Sequence, residues 1–536
     1  MKTLKLALIH LDIRHGQADR NRAALLTLIR RSTQQGARLI VAPELSLSGY
    51  SFDSRAAIAP LVETEDGPTL AAVRDLARQS GSYVCVGLAL KDPATGVFTN
   101  SAVVADPSGE IVCRYDKINA ESGWACPGNP GRNNTFETPW GRVGVLICSD
   151  SYHALMPRVT ALRGADLLLV PANWPPSGLD PRKLWRVRAL ENGIRLAACN
   201  RTGRDRKMDC RAAVSCFCDP AGNLLFEGSH ATSRIFLVDV PLDVRGRLDS
   251  TLRRRAMSRR QPRYYHDCYL NLRPIRDLTA FLFLPQPGSL HVSCVVPARH
   301  ESPGEALRRS IVNAPCQGPH IFILSSPPLS RVEADRIAPV LGWKQAALVT
   351  CWKKDPDLSV YGFLSGAGGF VSRHIRTGVH GGDAIPRMDF GPLRLHGLPF
   401  DALEHPEPAL CAAKQGCDLI VTCHDNLTPR DRRLGGARTL EGVAVAACSP
   451  VNAGIWVPPE GHGQWEETFA EAGEPCRAEL DTRRIRTRFF QDNIDFQVLL
   501  DGNPQPPEAG RPRVTCKEHG KGIRDFPQIG AFRRHG

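Results

Sequence analysis

The sequence predicts an α/β chain, a sandwich of mixed sheets built twice in tandem. Three observations carry this. Strand-length apolar runs alternate with amphipathic helical segments through the first half, while several strands follow one another with only turns between. The same order of runs returns at low identity in the second half. The length, 536 residues, exceeds one ordinary domain, and 42% hydrophobic residues suffice for real cores.

The elements follow in order. Residues 4–9 form a first strand, and 21–33 a helix with Ala24, Leu25, Leu28 and Ile29 on one face. Leu39-Ile-Val-Ala-Pro-Glu44 is an apolar strand ending in a carboxylate. Strands at 84–90 and 102–105 come next, and Ile111-Val-Cys-Arg-Tyr-Asp-Lys117 is a strand ending in an amine. Val143-Gly-Val-Leu-Ile-Cys148 runs straight into a thiol. A helix into Gly164, a strand at 166–170, a helix at 183–192 and strands at 194–199, 213–218 and 234–240 complete the half. A carboxylate, an amine and a thiol, each at the C-terminal end of a strand, form a covalent-catalysis set.

In the second half, 290–296 matches the first strand and 306–313 its helix. Gly416-Cys-Asp-Leu-Ile-Val421 sits on Gly164-Ala-Asp-Leu-Leu-Leu-Val170, and Arg438-Thr-Leu-Glu441 on Arg188-Ala-Leu-Glu191. Residues 477–481 match the closing strand at 234–239. The chemistry is not repeated. Glu44 falls near Ser326 or Pro328, Lys117 on Arg376, and Cys148 on Leu398 or Phe400. The expected division is a catalytic domain at 1–268, a linker at 269–287, a degenerate copy at 288–500 and a disordered basic tail at 501–536.

Composition narrows the class. No apolar run reaches the roughly 18 residues of a membrane span, and the first residues read as a strand, so a cytoplasmic protein is expected. The 18 cysteines are scattered, mostly inside apolar runs, as reduced core residues are. Cys216-Phe-Cys218 lacks a second Cys/His pair at zinc spacing, so no metal is expected. The net charge of +13 partly reflects the arginines at 253–263 and the tail, read as a solvated connector and tail rather than a nucleic-acid footprint. Gly366-Ala-Gly-Gly369 reads as a turn, not a nucleotide fingerprint, and no cofactor is expected.

Taken together, Ala42-Pro-Glu44-Leu, Tyr115-Asp-Lys117 and Gly144-Val-Leu-Ile-Cys148-Ser-Asp150 resemble the carbon–nitrogen hydrolase (nitrilase) superfamily. Pro171-Ala-Asn-Trp174-Pro, Arg188-Ala-Leu-Glu191-Asn192, Asn200-Arg-Thr-Gly203 and Arg259-Arg-Gln-Pro-Arg-Tyr-Tyr265 extend the resemblance over about residues 1–268. It implies an αββα sandwich, which in that family dimerises into αββααββα layers. Two such halves in one chain would form that pseudo-dimer internally, with a further homo-oligomer left open. It also implies Cys148 as nucleophile, Glu44 as base, and Lys117 with the Ser149 N–H as oxyanion donors. Glu121 is the candidate second glutamate that positions substrate, with His153 and Trp174 as pocket residues, His10 a weaker candidate, and Asp150 orienting backbone or Lys117.

Departures narrow the substrate. Ala154 and Leu155 stand where the family often has Pro-Glu. Tyr152 and His153 replace the arginines of enzymes for N-carbamoyl D-amino acids, and Ser149-Asp150 replaces the Trp-Glu of true nitrilases. The resemblance therefore implies an amidohydrolase for a small linear amide or carbamoyl compound, releasing ammonia or an amine. An amide-forming acyltransferase shares the same acyl-enzyme. A non-catalytic scaffold with a basic surface is the reading from another class.

Overall fold

A computed structural model of the protein describes residues 2–500, apart from 273, 315–317, 328–329, 344, 356–357, 366–369, 377–386 and 462. The tail at 501–536 and the turn expected at 366–369 lie outside the described residues.

The first half holds strands β1 (Thr3–His10), β2 (Leu39–Val41), β3 (Tyr83–Lys91), β4 (Phe98–Ala105), β5 (Ile111–Asp116), β6 (Thr135–Thr138), β7 (Gly141–Val145), β8 (Leu167–Pro171), β9 (Arg195–Cys199), β10 (Ser215–Cys218), β11 (Leu224–Gly228) and β12 (Arg234–Pro241). The second holds β13 (Ser289–Val295), β14 (His320–Ser325), β15 (Ala346–Asp355), β16 (Leu358–Ser365), β17 (Phe370–Arg376), β18 (Arg387–Phe390), β19 (Leu393–Gly397), β20 (Leu419–Cys423), β21 (Ala444–Cys448), β22 (Asn452–Val457), β23 (Glu466–Glu471) and β24 (Cys476–Asp481).

Among the described residues these make four six-stranded sheets, ordered β12-β1-β2-β3-β4-β5, β11-β10-β9-β8-β7-β6, β17-β16-β15-β14-β13-β24 and β18-β19-β20-β21-β22-β23. The second pair repeats the first strand for strand. Each sheet is mixed, as in the first, where β1–β2 and β2–β3 pair in parallel while β12–β1, β3–β4 and β4–β5 pair antiparallel. A parallel strand is covered on both faces, so it reads as a continuous apolar run, and all of Leu167-Leu-Leu-Val-Pro171 is buried.

The two-residue side-chain period sorts each strand between layers. Leu6, Leu8, Val41 and Val104 face Val143, Val145 and Leu168 of the neighbouring sheet. Ala7, Ile9, Ile40 and Val84 face the other way, onto Leu25 and Ile29 of helix Ala18–Gln34 and Val73 of helix Pro68–Ser80. The second half repeats this: Val292, Ile323 and Val349 pack toward Leu395 and Val421, and Phe322 and Leu348 toward helices Pro303–Val312 and Arg331–Trp343. Each half is thus an αββα sandwich.

The halves meet on their remaining helical layers. Helix Pro181–Asn192 packs against helix Pro429–Arg438. One apolar cluster joins Leu155, Leu184 and Leu190 to Leu410, Leu434 and Leu440. Buried charges cross the same boundary: Glu191 accepts from Arg188 at 2.7 Å and also from Arg438, while Glu407 takes Arg158 at 3.2 Å and Arg260 at 2.8 Å.

The stretch at 253–263 corrects the sequence reading. Residues 251–258 are helical, Arg253 pairs with Asp166 at 2.9 Å, and Arg259 with Glu404 at 2.9 Å. Arg260 is buried, donating to Glu407 and, at 2.6 Å, to the Leu499 carbonyl. A buried guanidinium persists only where carboxylates meet it, and its partners here lie more than a hundred residues away in sequence, beyond any local pattern. Helix Pro68–Ser80 and the short strands β6 and β11 are further elements the periodicity did not single out. Alignment of the halves is also sharper: Leu146 N–H donates to Leu169 O and Leu398 N–H to Val421 O, which places Phe400 opposite Cys148. Pairing of Leu6 with Leu39 and of Val292 with Ile321 places Ser326 opposite Glu44.

All sixteen cysteines among the described residues are unbridged thiols, and only Cys126 is exposed. No helix among the described residues is long and apolar enough to cross a membrane.

Candidate active site

Three strand ends deliver the site. Beyond β2 the chain stays pinned to β3, with Ala42 N–H donating to Cys85 O and Ser46 N–H to Gly87 O, both at 2.8 Å. Gly87 has no room for a side chain: a Cβ there would lie 2.5 Å from Pro43 O and 2.7 Å from Glu44 Cα. Lys117 follows β5 directly, its N–H donating to Asn100 O at 2.8 Å.

Cys148 differs from the expectation of a strand running into a thiol. β7 stops at Val145, and Cys148 opens a 3-10 turn, Cys148–Ser151, at φ 44°. That left-handed conformation is strained for a residue with a Cβ and persists only where the surroundings fix it. They do so here. Ser151 Oγ donates to Cys148 O at 2.6 Å and accepts from Trp185 Nε1 at 3.0 Å. Arg188 donates to the carbonyls of Ser151, at 2.9 Å, and Tyr152. Asp150, in line with its expected orienting role, accepts from Tyr115 Oη at 2.6 Å and from the N–H groups of Ile118 and Asn119 at 2.9 and 2.8 Å. It thereby ties the cysteine's turn to the segment after Lys117.

The ionisable groups converge in a buried cluster. Lys117 Nζ donates to Glu44 Oε1 at 2.7 Å and to Glu121 Oε1 at 2.5 Å. Asn100 Nδ2 bridges Glu44 Oε1 at 2.8 Å and Glu121 Oε2 at 3.0 Å. Glu44 Oε2 is buried without a hydrogen-bond partner among the described residues. Burial raises the Glu44 carboxyl above its ordinary 4.5, against the opposing pull of Lys117. Burial pulls Lys117 down, but the Glu121 and Glu44 carboxylates outweigh it and hold the amine well above its ordinary value. For Glu121 burial is outweighed by Lys117, and its pKa is lowered. Burial, then the charge of Glu44, lifts the Cys148 thiol well above 9.0. One oxygen of Glu44 is thus committed to Lys117 while the other is left for a proton.

A cavity of about 1120 Å³ opens onto Cys148. Ser149, His153, Trp174 and Tyr50 line it. Glu44 and Lys117 are buried, Glu121 nearly so, and none of the three is among the lining residues.

Comparison with known proteins gives the family of the first half. The carbon–nitrogen hydrolase family model matches residues 5–248. A nitrilase of Pyrococcus abyssi is 31% identical over 243 residues, covering 45% of this chain and 90% of its own length. The chain belongs to the carbon–nitrogen hydrolase family. An (R)-stereoselective amidase of Pseudomonas sp is 32% identical over 243 residues, covering 45% of this chain and 86% of that protein. An omega-amidase of Mus musculus is 27% identical over 239 residues, covering 42% and 84%. Among solved structures, a double mutant of the amidase from Nesterenkonia sp. AN1 in complex with acrylamide is 26% identical at a TM-score of 0.40, covering 45% of this chain and 91% of that one.

The carbon–nitrogen hydrolase thus brings Glu44, Lys117, Glu121 and Cys148 into one cluster, and Ser149, His153 and Trp174 to the cavity in front of it. His10 stands apart. It is buried, shares a hydrogen bond with Ser215 Oγ at 3.1 Å, is pushed down to about 4 by burial and does not line the cavity. Sequence reasoning did not single out Tyr50, Asn100 or Asn173. The Tyr50 ring lies 5.3 Å from Lys117 Nζ. Arg201, within the Asn200-Arg-Thr-Gly203 stretch, donates to Asn173 Oδ1 at 2.5 Å and pairs with Asp205 at 2.9 Å; Asp205 accepts from Tyr50 N–H at 2.6 Å. Asn200 and Trp174 exchange two hydrogen bonds, at 3.0 and 2.9 Å. The flanking motifs therefore act as braces for the cavity wall, a role that only the folded contacts reveal.

Proposed function

We propose that the hydrolase cleaves the C–N bond of a linear amide or carbamoyl compound through a thioester on Cys148. The observation that carries this is the divided carboxylate of Glu44: Oε1 held by Lys117 and Asn100, Oε2 buried and unpartnered, with the thiol close enough for its pKa to respond to that charge. Cys148 Sγ attacks the carbonyl carbon while its proton passes to Glu44. The oxyanion that forms is met by Lys117 Nζ and the Ser149 N–H; losing one such donor typically costs about 3 kcal/mol of barrier. As the C–N bond breaks, Glu44 returns the proton to the leaving nitrogen. A water then gives its proton to Glu44 and attacks the thioester, and the acid leaves as the thiol is restored. Glu121 keeps Lys117 charged and oriented.

The thiol of the resting enzyme is the protonated form, since burial and Glu44 both raise it. Nucleophile formation is therefore coupled to attack, with Glu44 as the acceptor. This differs from cysteines that rest as thiolates beside a cation.

We further propose the division 1–268 as catalytic domain, 269–287 as linker and 288–500 as a degenerate copy, the halves forming a pseudo-dimer within one chain. The repeated strand order and the shared core support it. Ser326 and Phe400, opposite Glu44 and Cys148, supply neither base nor nucleophile.

The test is intact mass after incubation with small amides, nitriles and carbamoyl compounds. Wild type is expected to carry an acyl adduct that Cys148→Ala lacks, its mass naming the acyl group. An adduct on neither protein, with a Cys148 inert to iodoacetamide, would refute the reading.

A further inference from the structure

We infer that the second half selects the substrate: an elongated amide, neutral or anionic, whose apolar or aromatic far end is gripped between Trp174 of the first half and Phe489 of the second. This rests on the amide-hydrolase reading and adds the class of substrate to it.

The cavity that opens onto Cys148 is one continuous space shared by the two halves. Its far wall is built from Leu440, Pro458 and Pro459 and the segment running from Arg484 to Asn493. At about 1120 Å³ it exceeds the roughly 300–1,000 Å³ of most small-molecule sites. A simple short amide would touch only the part beside Cys148 and leave the outer wall to water. Contacts remote from the reacting carbon are what an enzyme draws on to orient it, so a built outer wall implies a substrate that reaches it.

The wall is fixed in place. Arg486 and Arg488 both reach Asp418, at 2.7 and 3.3 Å, and Arg488 also donates to Cys417 O at 2.6 Å. Just past the segment, Asp495 accepts from Arg163 of the first half at 2.6 Å. The surface is therefore preorganised from both sides, so little ordering cost is left for the moment of binding.

Its chemistry is one-sided. No carboxylate lines the cavity among the described residues, whereas the guanidinium-bearing Arg484 and Arg488 do. The Asp418 carboxylate behind Arg488 is buried, and Glu460 and Glu466, which pair with Arg484 at 2.9 and 3.7 Å, lie outside the lining in solvent-exposed pairs that water and salt weaken. A substrate ending in an ammonium would face this wall unfavourably; a neutral or anionic one would not. Phe489 is 63% exposed, an unusual state for a phenylalanine; it lines the cavity with its ring 6.4 Å from that of His153. Trp174 of the first half lines the same cavity, so each half contributes an aromatic ring to it.

The experiment compares hexanamide, 6-phenylhexanamide and 6-aminohexanamide on the full-length chain, by ammonia release and by protection of Cys148 from iodoacetamide. The phenyl compound is expected to exceed hexanamide in kcat/KM by about tenfold or more, the range one well-filled apolar contact supplies. The amino compound should fall below hexanamide. Phe489→Ala should cut the phenyl-to-plain ratio by about tenfold, and the exposed position spares the fold. A wild-type ratio near one, or a ratio that Phe489→Ala leaves unchanged, overturns the inference. If no compound is turned over but the phenyl amide shields Cys148 best, the selecting wall stands and amide hydrolysis falls. If no compound is turned over and the phenyl amide shields no better than the others, both fall.

Discussion

Replacing Arg188 by methionine isolates the brace behind the nucleophile. Arg188 is fully buried on helix Pro181–Asn192, and it joins the Glu191 carboxylate at 2.7 Å to the carbonyls of Ser151 and Tyr152. Methionine keeps the unbranched apolar stem and removes the guanidinium. Glu191 keeps Arg438, so its charge is not abandoned. Two buried carbonyls lose their donor, at about 1–3 kcal/mol each. The expected destabilisation is about 4 kcal/mol, lowering Tm by roughly 10 °C for domains of this size. Those carbonyls belong to the turn that holds Cys148 at φ 44°, so relaxation of the turn shifts the sulfur. A displacement near 1 Å costs about 10²-fold in rate. The measurements are thermal unfolding and kcat well below the lowered Tm. A variant that loses stability yet keeps wild-type kcat would refute the reasoning, since Arg188 would then serve the junction between halves and not the turn.

Glu44→Gln removes the charge that helps hold the Cys148 thiol up, so the pH midpoint of iodoacetamide alkylation should fall while amide turnover drops by at least about 10²-fold. A midpoint that stays or rises would count against Glu44 as the proton acceptor. The acid limb of the wild-type kcat/KM profile should lie above pH 4.5, because burial raises Glu44 and the working form is its carboxylate. A limb at or below that value would contradict it. Glu441, buried beside Arg438 and Arg188, is raised to about 7, chiefly by burial. The folded state holds a proton there that the unfolded chain releases near 4.5, so this contribution to stability is full below about 4.5 and is lost as pH rises through about 7. Glu441→Gln should therefore raise Tm at pH 8 and not at pH 4; the opposite pH dependence would be incompatible with it. Gly87→Ala, whose Cβ would sit 2.5 Å from Pro43 O, should displace Glu44 and depress kcat more than it lowers Tm. Unaltered kcat would exclude that close packing.

Glu44, Lys117 and Cys148 were legible because each terminates an apolar run, and a strand's end can be read from local pattern. The layered α/β architecture and its repetition were legible for the same reason, since the side-chain period is a property of neighbouring residues. Asn100 was not, because its role depends on β4 lying beside β5, a pairing between distant residues. Tyr50 and Asn173 reach the cavity through Arg201 and Asp205, again by contacts that span far more sequence than any motif. Arg260 looked like a solvated charge because its carboxylate partner is supplied by the other half. The turn at Cys148 escaped for a different reason: its strain is imposed by Trp185, Ser151 and Arg188, while its own residues read as a continuing strand.

Because helix Pro181–Asn192 and the helix it packs on belong to one polypeptide, the contact between halves does not dissociate on dilution. A surface held by a short tether works at an effective concentration on the order of millimolar, whatever the amount of protein in the cell. Enzymes assembled from separate subunits lose their contacts when scarce. This chain carries both surfaces of that contact with every copy made. Its specific activity should hold constant down to the lowest concentrations at which it can be assayed. The buried ion pairs of Glu191 with Arg438 and of Glu407 with Arg158 hold the two sandwiches together at that contact.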